Sequence, residues 1–140
     1  MADFRRAMLQ LSKCSIPLDI SRGIIPVSVN IIGRRSKEII EMALDTGATY
    51  TLISTNTLID VGYNPIHTKK KIDISTANGI VLAPLIVIKS LRCWGREVKN
   101  IDVVCHDLPR ESPVQGLLGL NFLKHIDLHL LFKKKLLEVS

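Results

Sequence analysis

Aromatic residues are scarce in this chain: one Trp, two Tyr and three Phe, 4% of 140 residues. Its core must therefore be aliphatic. None of these rings is interleaved with the basic clusters, so a stacking platform for single-stranded nucleic acid is not apparent. Cysteine is also short. Cys14, Cys93 and Cys105 make an odd count without C-x-x-C spacing, which argues against a disulfide framework and for a reducing compartment. Long hydrophobic runs are missing: Ile80 to Ile88 carries Pro84 inside it and falls well short of the ~20 residues of a spanning helix. Arg5 and Arg6 precede a stretch interrupted by Gln10, Ser12 and Lys13, so no secretory leader is read. The expectation is a soluble cytoplasmic protein with no membrane partner.

Acidic charge is the minority, 13 Asp and Glu against 19 Lys and Arg, for a net charge of +6. The basic surplus is dispersed over Arg5-Arg6, Arg34-Arg35, Lys69-Lys70-Lys71 and Lys133-Lys134-Lys135, each where a turn or loop is expected. Dispersed clusters of this kind read as solvated turns rather than as a phosphate-binding surface, and no nucleic acid partner is expected. A basic nucleic-acid-binding β-domain would require strongly salt-dependent binding that is insensitive to changes at Asp45. Neither G-x-S-x-G nor a Gly-rich phosphate loop occurs.

The chain is one domain's length, and its short runs of Ile, Val and Thr favour strands, hence an all-β fold. Residues 1–22 fall outside the strand pattern and are expected as an arm, packed on the domain or removable. In it Phe4, Met8 and Leu11 could mark one face of a short helix ended by Pro17. From residue 23 to 140 the pattern is one domain. Ile25 to Ile31 alternates, Gly33-Arg34-Arg35-Ser36 reads as a turn, and Lys37 to Leu44 returns toward Asp45. Thr51 to Ile53 is a short strand, and Thr55 to Gly62 suits a short helix closed by glycine. Lys71 to Thr76 alternates into Asn78-Gly79 and Ile80 to Ile88 runs back, a hairpin whose mirror-image turn centres on Asn78-Gly79. A further hairpin turns at Cys93-Trp94-Gly95-Arg96, Cys105 to Pro113 is a loop, Asn121 to Lys124 allows one helical turn, and a last hairpin turns around Phe132-Lys133-Lys134.

Two features stand out in this framework. Asp45-Thr46-Gly47 closes the apolar run Ile39 to Leu44, placing a carboxylate at a strand end before a residue without Cβ that lets the chain turn sharply. Much later the apolar run Gly116-Leu117-Leu118-Gly119-Leu120 offers a buried strand to pack beneath that turn. Asp45-Thr46-Gly47-Ala48-Thr49-Tyr50-Thr51-Leu52-Ile53 resembles the active-site loop of retropepsin-like aspartic proteases, and Leu117 to Leu123 resembles the apolar-apolar-Gly segment that lies under it in that family. The resemblance spans residues 24 to 140. The Leu120-Asn121-Phe122-Leu123 ending is more similar to cellular and bacterial single-domain members than to viral ones, which often carry arginine after that glycine.

The resemblance implies a retropepsin-like acid-protease barrel with one short helix, a homodimer, and an aspartic endopeptidase acting on polypeptide without a cofactor or metal. Hydrolysis by carboxylates needs one acid to take a proton from water and a second to supply one. The chain has a single Asp-Thr-Gly, so the second Asp45 has to come from a second chain across a two-fold axis. By resemblance, Thr46 cross-braces the two loops and Gly47 lets the backbone approach the substrate. Ala48 and Thr49 border the cleft, Asn78 and Gly79 sit at the tip of a mobile flap, and Leu117 lines an apolar subsite.

Competing chemistries are weaker. His125 and His129 are four apart, as on a metal-binding helix, but Leu128, Leu130 and Leu131 suit a strand and no second ligand pair is evident. Cys105-His106-Asp107 are consecutive, and strand neighbours point to opposite faces, which does not build a nucleophile and its base. The alternative in a different class is a non-catalytic dimerisation or peptide-binding module on the same fold.

Overall fold

The computed structural model describes residues 13–140. The helix face expected at Phe4, Met8 and Leu11 lies outside the described residues. Ten strands are described: β1 (Cys14–Pro17), β2 (Pro26–Ile32), β3 (Lys37–Leu44), β4 (Thr51–Ile53), β5 (Lys71–Thr76), β6 (Gly79–Cys93), β7 (Arg96–Cys105), β8 (Gly116–Leu118), β9 (Leu128–Leu131) and β10 (Leu136–Val139). The helices are α1 (Thr55–Asp60) and α2 (Leu120–Leu123), with a 3-10 turn at Pro65–His67.

The larger sheet runs β2-β3-β8-β4-β7-β6-β5, and β2 also pairs with β6, so six strands close into a barrel and β5 lies outside it. Alternation drives this closure. On β2, Val27, Val29 and Ile31 point inward while Ser28 points out; on β3, Ile40 and Met42 do the same. The barrel core is aliphatic, as the composition requires: Val29, Ile31, Met42, Ile53, Ile88, Leu91, Val103 and Leu118 are fully buried with Phe122 from α2 and Leu58 from α1. Each such side chain contributes about 1.5–3 kcal/mol on burial. Ser54 caps α1 by accepting from the Thr57 amide, and Gly62 at φ +104° lets the chain leave the helix.

β6 serves two structures at once. Its first half pairs with β5 in a hairpin beyond the barrel, and its second half pairs with β7 and β2 in the barrel wall. Pro84 does not interrupt it, although the sequence pattern places a proline inside the run. The β6–β7 turn is the two-residue mirror-image type, with Trp94 at φ +55° and Gly95 at φ +73°. The β5–β6 turn differs from the expected one. Thr76 pairs with Gly79, so Ala77 and Asn78 are the central residues, and only Gly79, at φ +113°, is left-handed. Thr76 stabilises this variant through its hydroxyl, which donates to the Gly79 carbonyl at 2.7 Å and accepts from the Asn78 amide at 3.3 Å.

A second, three-stranded sheet has the order β1-β10-β9. Part of the expected arm is thus built into a sheet: β1 pairs antiparallel with β10, and Leu18 is buried with Leu137 and Val139. The inner face of this sheet packs on Trp94, Ile126 and Leu44 of the barrel.

Candidate active site

β3 delivers Asp45. It runs parallel to β8, with Ala43 opposite Leu117 and Leu44 opposite Leu118, and the Asp45 amide continues that ladder by donating to the Leu118 carbonyl at 3.0 Å. Beyond this point the chain turns on the aspartate itself: Asp45 Oδ1 accepts from the Gly47 amide at 2.9 Å, and the Ala48 amide donates to the Asp45 carbonyl at 3.3 Å. Asp45 is half-buried, while Thr46 and Gly47 are exposed beside it. A Cβ on Gly47 would lie 3.2 Å from Asp45 Oδ1, so glycine keeps this tight turn uncrowded.

The loop is then stitched to the segment after β8. Leu120 and Asn121 donate their amides to the carbonyls of Ala48 and Thr49 at 2.8 and 3.2 Å. Gly119 fits between them because it has no side chain; a Cβ there would come within 2.6 Å of the Tyr50 carbonyl oxygen and 2.8 Å of the Ala48 oxygen. Under the loop lies a polar clamp. Thr51, wholly buried, donates its hydroxyl to Asn121 Oδ1 at 2.8 Å and accepts from the Gly119 amide at 3.1 Å. The Thr51 amide also donates to Asn121 Oδ1, at 2.9 Å, and Asn121 Nδ2 donates to the Asp102 carbonyl at 2.6 Å. Buried polar groups with every partner in place fix one geometry, so this clamp sets where Asp45 emerges.

Asp45 opens into a cleft of about 930 Å³. Gly47, Ala48, Thr49 and Leu117 line it, and the β5–β6 hairpin forms the opposite wall through Ile72, Ile74 and Asn78. Thr46 and Gly79 are not in the lining; Gly79 is exposed at the hairpin turn. The hairpin tip carries Ile80, Val81 and Leu82 exposed. Sequence reasoning missed several lining residues. Ile72 and Ile74 follow from the alternation of β5, but Tyr50, Val104 and the His106–Pro109 loop reach the cleft only because β4 pairs with β7. Asp45, Asp73 and Asp107 are among the residues that line the cleft of a chain whose net charge is positive.

Cys105-His106-Asp107 does not assemble a nucleophile and its base. Asp107 Oδ1 accepts from the Thr55 amide at 2.8 Å and Cys105 Sγ lies 3.4 Å from the Thr55 hydroxyl, so both hold the start of α1, and His106 and Asp107 also line the cleft. Burial pushes the Cys105 thiol up, against use as a thiolate. His129 is on β9, 3.7 Å from Glu138 across the ladder, and His125 is exposed after α2.

Residues 27–125 match the family described as gag-polyprotein putative aspartyl protease. No curated protein matches by sequence. Among solved structures, a retropepsin-like aspartic protease from Rickettsia conorii superposes with a TM-score of 0.70 at 22% identity, over 91% of this chain and 89% of that one. A likeness at this identity carries the fold.

Proposed function

The chain belongs to this aspartyl protease family and has the retropepsin-like fold, and from that premise we propose that it is an aspartic endopeptidase whose active site is completed by a second copy of itself. The observation that carries this reading is the placement of Asp45: its backbone is held on Leu118, and it opens into a cleft walled by a hairpin. One chain supplies one such carboxylate. In the dimer two Asp45 side chains face each other at about 3 Å and share a proton, as the carboxylate pairs of aspartic proteases do. One takes a proton from a water molecule as its oxygen attacks the peptide carbonyl carbon; the other gives its proton to the carbonyl oxygen. The C–N bond then breaks as the Asp45 that took the water's proton passes it to the nitrogen and the other Asp45 takes a proton back from the diol, which restores the pair.

In this reading Thr46, exposed at the front of the loop, braces its counterpart across the axis, and Gly47 admits the substrate backbone. Ala48, Thr49, Asn78 and Leu117 border the bound chain, with Gly79 hinging the tip of the hairpin that closes over it. Aliphatic walls from Ile72, Ile74, Val104 and Leu117 suit an extended polypeptide with apolar side chains near the scissile bond. We place this work in the cytoplasm, a setting supported by three free thiols; no helix among the described residues is long and apolar enough to cross a membrane.

Dilution tests the shared site. The rate of cleaving an unfolded protein should fall faster than linearly with protein concentration, so that specific activity declines, as concentration passes through the dimer dissociation constant measured by sedimentation. Constant specific activity in a fully monomeric sample would refute it.

A further inference from the structure

Two basic clusters that stand apart in the sequence meet in the fold. Arg34-Arg35 lies in the β2–β3 turn, and Lys69-Lys70 follows the 3-10 turn that leads into β5. The first cluster is pinned to the end of α1. The Arg35 amide donates to the Val61 carbonyl at 3.2 Å, the Ser36 hydroxyl donates to the Asp60 carbonyl at 3.0 Å, and the Arg34 guanidinium carbon lies 5.9 Å from the centre of the Tyr63 ring. Tyr63 in turn accepts from the Lys89 amide at 2.7 Å, and the Leu85 amide donates to the Lys70 carbonyl at 2.9 Å. Leu85 and Lys89 belong to the same strand, β6, so the two clusters are bridged within about 13 Å.

The charge at this end is of one sign. Arg34, Arg35, Lys69, Lys70 and Lys89 are all exposed, and no salt bridge among the described residues holds any of them. In residues 33–36 and 58–70, which build this end, the one acid is Asp60. Amid these cations the 3-10 turn holds up an apolar tip. Pro65 is buried and anchors the turn, Asn64 Oδ1 accepts from the Ile66 amide at 3.2 Å, and the Thr68 amide donates to the Pro65 carbonyl at 3.3 Å. Ile66 is thereby kept 85% exposed, and Ile59 on the neighbouring α1 is 50% exposed. A single exposed isoleucine is ordinary. Set among unpaired cations on a fixed turn, it has the make-up of an interfacial anchor, an apolar group flanked by positive charge.

We propose that this end of the barrel docks on a membrane surface rich in anionic lipid, with Ile66 entering the headgroup region and the basic side chains meeting the lipid charges. The tip is convex: a folded protein would need a matching cavity to receive it, and a fluid bilayer needs none. Nucleic acid fits less well, because the one Phe, Tyr or Trp of these stretches is Tyr63, whose ring already carries Arg34. The cytoplasmic leaflet is anionic, in keeping with the compartment proposed above. Taken singly, each cluster reads as a solvated turn with no membrane partner; their convergence changes that reading. None of these residues lines the Asp45 cleft, so docking is independent of Asp45 and of the second copy.

Co-sedimentation of the unaltered protein with vesicles, at about 0.1 M salt, tests it. Vesicles of phosphatidylcholine and phosphatidylserine, about two to one, should bind the protein at least about tenfold more tightly than phosphatidylcholine alone. Lys69→Gln combined with Lys70→Gln should weaken that binding about 30-fold, and Ile66→Asn about tenfold. All three side chains are exposed, so these variants should keep the parent's urea midpoint. Lys133→Gln with Lys134→Gln removes the same charge from the β9–β10 turn and should change binding by less than about threefold. Equal binding to neutral vesicles, no binding to either kind, or an Ile66→Asn protein that binds like the parent overturns the docking surface. Equal losses from the two lysine pairs also overturn it, since net charge alone would then suffice. Tighter binding to single-stranded RNA than to the anionic vesicles, unchanged in Ile66→Asn, would make this end a nucleic-acid surface instead.

Discussion

Replacing Thr51 by Val isolates the clamp that fixes the Asp45 loop. Valine has nearly the shape of threonine, so packing at this fully buried position is preserved. Two hydrogen bonds go: the hydroxyl's donation to Asn121 Oδ1 at 2.8 Å and its acceptance from the Gly119 amide at 3.1 Å. They are not equivalent. Asn121 Oδ1 keeps the Thr51 amide as a donor at 2.9 Å, so only the net worth of one bond is lost there, about 0.5–1.5 kcal/mol. The Gly119 amide is left buried without an acceptor, which costs about 1–3 kcal/mol. The expected destabilisation is about 2–4 kcal/mol, read as a lower urea midpoint at unchanged slope. Thr51→Ser keeps both bonds and loses one methyl group, for about 1 kcal/mol. The order decides: if Thr51→Val is as stable as the parent, or more stable than Thr51→Ser, the clamp does not hold the loop.

Gly119→Ala should cost about 2–4 kcal/mol and most of the activity, because its Cβ meets backbone oxygens of Ala48 and Tyr50 that cannot move without shifting the Asp45 loop; urea unfolding and initial rates check both. A Cβ at Gly79 meets no atom within 4 Å, so the main cost of Gly79→Val is the strained φ of +113° at the hairpin tip; kcat should fall while Tm changes by no more than a few degrees, and unchanged kinetics would remove the hairpin from turnover. Burial pushes the Cys93 thiol up to about 12, with the Cys14 charge a smaller cause. Its folded value lies above the ordinary 9.0, so this contribution to stability is complete below about pH 9 and is lost as pH rises toward 12. The stability difference between parent and Cys93→Val should therefore be flat to pH 9 and shrink above it.

What could be read from the sequence was local. β3, β4 and β5 begin and end as alternation and turn residues predict, since Lys37 to Leu44 and Lys71 to Thr76 each show their buried face in period two. The pairing of Asp45-Thr46-Gly47 with Leu117-Leu118-Gly119 was legible because both are short motifs joined by one ladder. No strand is expected at Cys14–Pro17, because four residues ending in proline carry little alternation and their partner lies at the far end of the chain. The Thr51–Asn121 clamp is likewise hidden: a polar pair 70 residues apart has no period to announce it. The hairpin turn shifted by one residue because Thr76 supplies a side-chain bond that the Asn-Gly rule does not count. The contribution of His106–Pro109 to the cleft comes from barrel closure alone.

Cleavage of an unfolded protein substrate by the purified chain and by Asp45→Asn, both shown to be folded dimers, tests the central claim most directly. Asparagine retains the shape of aspartate and can still accept from the Gly47 amide, but it cannot take a proton from water. The account predicts steady cleavage by the parent and a loss of at least about 1,000-fold in kcat/KM for Asp45→Asn. Equal cleavage by both proteins would contradict it, and no cleavage by either would leave a retropepsin-like fold that binds without turning over.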